Sequence, residues 1–180
     1  MSEPRDARLW SRRQVLGTGG VLLAASALPF GVRAADPAFT PPTDTLRALD
    51  ASPLVYVSPL RKNGSESRCH GEVWFFHDKG DVVICTDEDR WKSEAIKKGM
   101  DRARIWVGDH GPVKRSEERF RTAPTLLAKA EFDRDRAAFD RLLAAFGKKY
   151  PDEWGRWKSR FEGGYADGSR VLIRYRALGA

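Results

Sequence analysis

Few side chains in this 180-residue sequence carry obvious chemistry, and their spacing narrows it quickly. His70, His77 and His110 are too scattered for the paired spacing of a metal site. No glycine-rich phosphate loop, Gly-x-Ser-x-Gly elbow or His-x-x-x-His pair occurs, so hydrolytic catalysis has no support. What remains is basic and hydroxylic: Arg61 and Lys62 before Asn63-Gly64, then Thr86, then Lys92 with Ser93, then Lys97-Lys98. Each also has a plain reading. Lys62-Asn63-Gly64 is equally a solvated turn, Thr86 a helix cap, and the lysines an exposed helix face. Residues 1–34 hold five Lys/Arg and two acids, so the formal charge falls from +7 for the whole chain to +4 for the 146 residues that follow. Such a balance gives no argument for nucleic acid and suits an anionic ligand or phosphate.

The elements that must position these residues are legible in the periodicity. Residues 54–60 are β-branched and aromatic and read as a strand, and Asn63-Gly64 after them is a hairpin signal. Residues 72–76 and 82–86 read as the next two strands, joined at Asp78-Lys79-Gly80. Both are apolar on both faces, which predicts a barrel interior plus a second covering layer, either a helix or a partner subunit. Trp91, Ala95 and Ile96 predict a short helix stopped at Gly99, with its start near Asp87. Residues 104–108 return to strand, and 109–124 form a polar loop with a short charged helix over 116–120. Residues 125–132 serve a fifth strand or a helix equally well. Residues 133–150 carry Phe139, Leu142, Leu143 and Phe146 on one helical stripe. Trp154, Trp157 and Phe161 continue it until Gly163-Gly164 and Asp167-Gly168 break it, and residues 170–178 make a last strand. Residues 35–53, rich in Pro and Asp, read as a linker with one short helix over 44–50.

The two cysteines, Cys69 and Cys85, do not meet in that arrangement. Mirroring across the 78–80 turn sets Cys85 opposite Val73, four residues from Cys69, an offset of about 13 Å, too long for a disulfide. Two separate, buried or half-buried thiols are expected.

Strand, Asn-Gly hairpin, strand, hairpin, strand, short basic helix, strand is the order in which a family likeness becomes visible. Leu60-Arg61-Lys62-Asn63-Gly64 before an aromatic strand, Cys85-Thr86 ending the third, then Arg90-Trp91-Lys92-Ser93 and Lys97-Lys98 before Arg104-Ile105-Trp106-Val107, resembles the pyridoxamine 5'-phosphate oxidase-like split β-barrel. The likeness covers about residues 54–178. It implies an α+β fold, an antiparallel split β-barrel of about six strands with peripheral helices. It also implies an FMN cofactor, with the deazaflavin F420 and haem as the alternatives found among relatives. By the same likeness the flavin phosphate and ribityl chain are held by Arg61, Lys62, Thr86, Lys92 and Ser93, and the protein is a homodimer with the cofactor at the subunit interface. The N-terminus of a helix starting near Asp87 would add N–H donors and a favourable dipole. Flavin chemistry implies an oxidoreductase of unnamed substrate, and no proton-transfer residue stands out. The alternative is a non-enzymatic barrel that has lost flavin and holds haem or a small anion; haem would need one of the three histidines as axial ligand. Trp74, Trp91 and Trp106 read as packing rather than as ring-stacking partners. The arginine-rich C-terminal segment by which the true oxidases of this family hold substrate is missing, so vitamin B6 oxidation is not expected.

The first 34 residues address the chain. Ser11-Arg12-Arg13-Gln14-Val15-Leu16 precedes an uncharged, glycine-diluted run that closes at Val32-Arg33-Ala34. This resembles a twin-arginine export signal, cleaved near Ala34 or Ala35. It implies passage through the twin-arginine translocase and a periplasmic location, and that route often carries proteins loaded with a redox cofactor. An ordinary secretory signal and an uncleaved anchor are the competing readings, though the run is a poor membrane span by hydropathy.

Overall fold

The computed structural model describes residues 39–179; the expected signal and its cleavage site lie outside them. Helix α1 (Thr43–Ala51) leads into β1 (Leu54–Pro59), β2 (Gly71–Trp74), β3 (Phe76–Asp78) and β4 (Asp81–Asp87). Helix α2 (Trp91–Lys97), β5 (Arg102–Val107) and β6 (Thr125–Asp133) follow, then α3 (Arg136–Lys149), α4 (Pro151–Asp167) and β7 (Arg170–Leu178). The strands form one antiparallel sheet in the order β2-β1-β5-β6-β7-β4-β3. The two edge strands are separated in sequence only by Phe75, so the sheet curls into a nearly closed barrel.

Strand alternation sorts the side chains into two layers. Val55 and Val57, Val82 and Ile84, Ala103 and Ile105, Ala128 and Ala130, and Ile173 and Tyr175 fill the interior. Leu49 of α1 plugs into the same core, so part of the expected linker is built into the barrel. The opposite faces of β4 and β7 present Val83, Cys85 and Leu172 to α3 and α4. Phe139, Leu142, Phe146 and Phe161 cover them. The second layer that the doubly apolar strands demanded is therefore a helix pair from the same chain. The outer face of β1 and β5 is covered instead by Phe120, stacked on Tyr56 at 4.7 Å in the loop before β6.

Several expectations need correction. The described residues form seven strands rather than about six, because the second predicted strand breaks at Phe75. Phe75 turns its ring into the core, and its N–H donates to the Tyr150 hydroxyl at 3.2 Å. The second hairpin has Phe76 opposite Val83 and His77 opposite Val82, one residue away from the expected register. Cys85 is buried as expected, but Cys69 is exposed. Helix α2 starts at Trp91 and not near Asp87, since residues 88–90 form a turn. Gly163-Gly164 does not end α4. A Cβ on Gly164 would lie 2.8 Å from the Arg170 side chain, so the missing side chain makes room for that arginine, and the helix continues to Gly168 at φ +80°. Over 116–120 there is no α-helix; two 3-10 turns, Val113–Arg115 and Arg119–Thr122, take its place. The ambiguous 125–132 segment is a strand, fixed by pairing on both sides with β5 and β7.

Candidate functional site

The five residues implicated by sequence lie around one end of the barrel, where β1 and β4 finish and β5 begins. They differ in what their side chains are free to do. Arg61 and Lys62 are exposed in the turn that closes with the Gly64 N–H donating to the Arg61 carbonyl at 2.8 Å. Thr86 is buried on β4, on the interior side with Ile84, and makes no side-chain hydrogen bond among the described residues. Ser93 is fully buried and already engaged, its hydroxyl donating to the Asp87 carbonyl at 3.1 Å. That bond ties α2 to the end of β4; it leaves Ser93 no proton to offer a phosphate.

Lys92 is the exception. It is half-buried, and its Nζ lies 4.2 Å from the centroid of the Trp91 ring. No carboxylate lies within 4.0 Å of it among the described residues. Burial pushes its pKa down to about 8 against the pull of Glu72, and the Arg90 charge adds to the fall. A desolvated cation held without a counter-ion is costly unless something anionic arrives.

Two of the three carboxylates in the neighbouring run Asp87-Glu88-Asp89 are already paired. Asp87 accepts from Arg90 at 3.2 Å and from Arg170 at 2.9 Å, and Glu88 pairs with Lys97. Next to this corner a cleft of about 590 Å³ opens between the 87–90 turn and the last turns of α4. Arg90, Arg160 and Arg170 line it, with Gly163 and Gly164 on the helix side. Arg170 also borders a smaller aromatic cavity of about 280 Å³ walled by Trp74, Trp157 and Phe161, with Cys85 at its base. Burial pushes the Cys85 thiol up to about 12, so it stays protonated and is no nucleophile there.

Sequence reasoning missed this second wall. Trp157 and Phe161 were visible as a helical stripe, but nothing in the spacing says that the stripe faces Trp74 across a cavity. Of the histidines, His70 and His110 flank the stacked Tyr56–Phe120 pair, whereas His77 is engaged by α1. His77 Nδ1 lies 2.7 Å from the Asp50 carboxylate, His70 packs 5.9 Å from Phe120, and His110 sits 6.1 Å from Tyr56. No group of three metal-ligating side chains occurs among the described residues.

No family model matches the chain, and no curated protein matches it in sequence. The fold does have relatives. It is similar to the conserved hypothetical protein Rv2991 from Mycobacterium tuberculosis, with a TM-score of 0.51 and 14% identity over 78% of this chain and 87% of that one. Campylobacter jejuni ChuZ is similar with a TM-score of 0.50 and 13% identity over 74% of this chain; the match spans about half of ChuZ, 51%. A candidate pyridoxamine 5'-phosphate oxidase from Listeria innocua gives 0.48 and 12% over 75% of this chain and 91% of that one. The fold is an antiparallel split barrel. The α+β architecture read from the strand order holds, with one more strand and its covering helices in cis.

Proposed function

We propose that this chain is an exported flavin-binding split-barrel protein, holding FMN by its phosphate at the corner between β4 and α2, and that it acts as an oxidoreductase through that flavin. The observation that carries the reading is Lys92, a half-buried ammonium with no carboxylate partner among the described residues, at a position where the family likeness calls for a phosphate ligand. The donor set fits in part. Lys92 supplies a cation and Thr86 an unengaged hydroxyl; Arg61 and Lys62 are free to approach from the exposed turn; Ser93 is excluded by its bond to Asp87. FMN, when bound, supplies hydride or electron transfer, while the chain's own residues bind and orient it and set its electrostatics. F420 would present a phosphate to the same residues as a singly charged diester. The second reading, haem, is favoured by His70, whose buried Nδ1 has no partner among the described residues.

The likeness further implies a homodimer. Here α3 and α4 already cover the apolar outer face of β4 and β7, so light scattering tests that part on its own.

The deciding experiment is an absorption spectrum of the protein matured in its native host, with mass analysis of what heat releases. Stoichiometric flavin in the parent and its loss in Lys92→Ala, with unchanged circular dichroism, is the expected result. A folded, colourless parent protein sinks the flavin reading, and a Soret band moves it to haem.

A further inference from the structure

Two parts of the barrel's outer face are covered: α3 and α4 pack on β4 and Leu172 of β7, and Phe120 packs on Tyr56 and Trp106. Between these covers the outer face of β6, with its flanks on β5 and β7, carries exposed side chains. The register sets Arg102 opposite Lys129 and Lys129 opposite Arg176, so three cations from adjacent strands stand in one row. Ala128 and Ala130 point into the barrel, so by alternation Lys129 points outward, and its cross-strand neighbours point with it. All three are exposed. Neighbouring strands lie about 4.8 Å apart, and like charges set directly opposite each other destabilise a sheet. Arg176 has Glu131 at 2.7 Å, but neither Arg102 nor Lys129 has a carboxylate within 4.0 Å among the described residues.

An apolar margin adjoins the row. Two residues along the strands, Arg104, Leu127 and Leu178 form the next row. Arg104 is held by Glu66 at 3.2 Å, while Leu127 and Leu178 are half-buried. Phe39 extends this margin. It is 41% exposed, the one exposed large hydrophobic side chain among the described residues. Its ring lies 3.4 Å from where a Cβ on Gly179 would stand, one residue past Leu178. In sequence Phe39 follows closely on the uncharged run over 14–32, whose export-signal and anchor readings both bring it to a bilayer.

We propose that this face docks the protein on an anionic phospholipid surface. The Arg102–Lys129–Arg176 row meets the headgroups, and Phe39, Leu127 and Leu178 enter the boundary between headgroups and acyl chains. A bilayer supplies what the row lacks, many anions in one plane, and takes up apolar side chains beside them. A second copy of the chain is the poorer occupant. A two-fold interface uses the same patch on both subunits, so it would gather two rows of unpaired cations in one contact.

The test is co-sedimentation with vesicles of phosphatidylglycerol and phosphatidylcholine, compared with vesicles of phosphatidylcholine alone. A basic residue close to an anionic surface is worth about fivefold in affinity. Arg102→Glu combined with Lys129→Glu should therefore weaken binding to the anionic vesicles at least ~20-fold. The control makes the same charge change elsewhere: Lys148→Glu combined with Arg156→Glu, both exposed on α3 and α4. It should cost less than ~3-fold, since charges beyond a Debye length of the surface are screened. Phe39→Ser should weaken binding severalfold, and salt at about 0.5 M should release the parent. All these proteins share residues 1–34, so whatever that segment adds to binding cancels in the comparison. Equal losses in the two double variants would assign binding to net charge rather than to this face, and would overturn the proposal. Equal binding to neutral and anionic vesicles overturns it too. A parent that ignores both vesicles, and whose mass by light scattering halves on reversal of Arg102 and Lys129, gives the face to a second copy instead. None of these measurements depends on flavin.

Discussion

Arg174 and Lys92 are both cations withdrawn from water, and the protein treats them in opposite ways. Arg174 on β7 donates to Asp78 at 2.8 Å, Asp81 at 3.0 Å and Asp133 at 2.8 Å. Arg141 of α3 adds a second guanidinium on Asp78 at 2.8 Å. Burial works against the Arg174 charge, but its three carboxylates outweigh that and raise its pKa. Lys92 has one aromatic ring and no carboxylate contact, and burial wins there. Lys149 repeats the Lys92 pattern at another cavity. A fully compensated charge holds β3, β4, β6, β7 and α3 in register and has nothing left to offer a ligand. An uncompensated one costs stability and keeps its valence open. The difference separates the part of this molecule built for folding from the parts able to bind.

The sharpest way to break that contrast is to remove the hub. Arg174→Met leaves Asp78, only 4% exposed at its side chain, with Arg141 alone and strips Asp133 of its guanidinium. Breaking a buried pair by deleting one partner costs ~3–5 kcal/mol, to be read from the urea midpoint. The pH dependence has a definite sign. Burial favours the neutral form of Asp78, but Arg141 and Arg174 override it and hold its pKa below the usual carboxylate range. A depressed carboxyl contributes stability that is complete above its unfolded pKa and lost as pH falls toward the folded value. The parent should therefore lose stability on acidification below about pH 4, and Arg174→Met should lose less of it. An equal acid slope in both would mean that the hub is not what acid breaks.

Lys92→Met and Lys149→Met should go the other way. Both amines have folded pKa values near 8, below the ordinary lysine value, so their charged forms are disfavoured by folding. Stability then rises as pH climbs from about 8 toward 10.5, where only the unfolded chain still holds the proton. A methionine keeps the stem without the charge. Each variant should be more stable near pH 7 by ~1–2 kcal/mol, well short of the full shift because both amines are half-buried and partly screened. The gain should vanish above about pH 10.5. Lys92→Met should also lose flavin, and a Lys92→Met protein that is no more stable at pH 7 would make Lys92 an ordinary surface lysine.

Such contrasts are hard to see in sequence, whereas the elements are not. The strand at Leu54–Pro59, the Asp81–Asp87 strand and the helix carrying Phe139, Leu142 and Phe146 announce themselves by period, since one face or both must be buried. Leu126-Leu127-Ala128 is indifferent by propensity, and only pairing with β5 and β7 settles it. The Arg174 hub joins residues 78, 81, 133, 141 and 174, whose meeting depends on the completed barrel. Lys92 was picked out through a family likeness, but its missing counter-ion is a property of packing. Lys149 carried no signal beyond its place at the end of an amphipathic helix.

The smallest test concerns Arg170, which stands between the two extremes. It pairs with Asp87 at 2.9 Å on one side and lies 4.7 Å over the Phe161 ring on the other, while bordering both cavities near the β4–α2 corner. Gly164 sets its path. A Cβ there would meet Arg170 Cγ and Cδ at 2.8 Å, and those atoms are held from both ends rather than free to swing away. The adjacent Gly163 has nothing within 4 Å of such a Cβ. Both glycines are inside α4, where alanine is favoured by roughly 0.5–1 kcal/mol. Gly163→Ala should therefore stabilise by about that amount. Gly164→Ala should forfeit the gain and lose ~1 kcal/mol more as Arg170 is displaced. Thermal melts of the two single variants make the comparison at neighbouring positions with identical chemistry, so helix propensity cancels. Equal shifts would mean that Arg170 moves aside freely and that its guanidinium is available to a ligand in the cleft; opposite shifts would mean that Arg170 belongs with Arg174, as a charge the fold has already used.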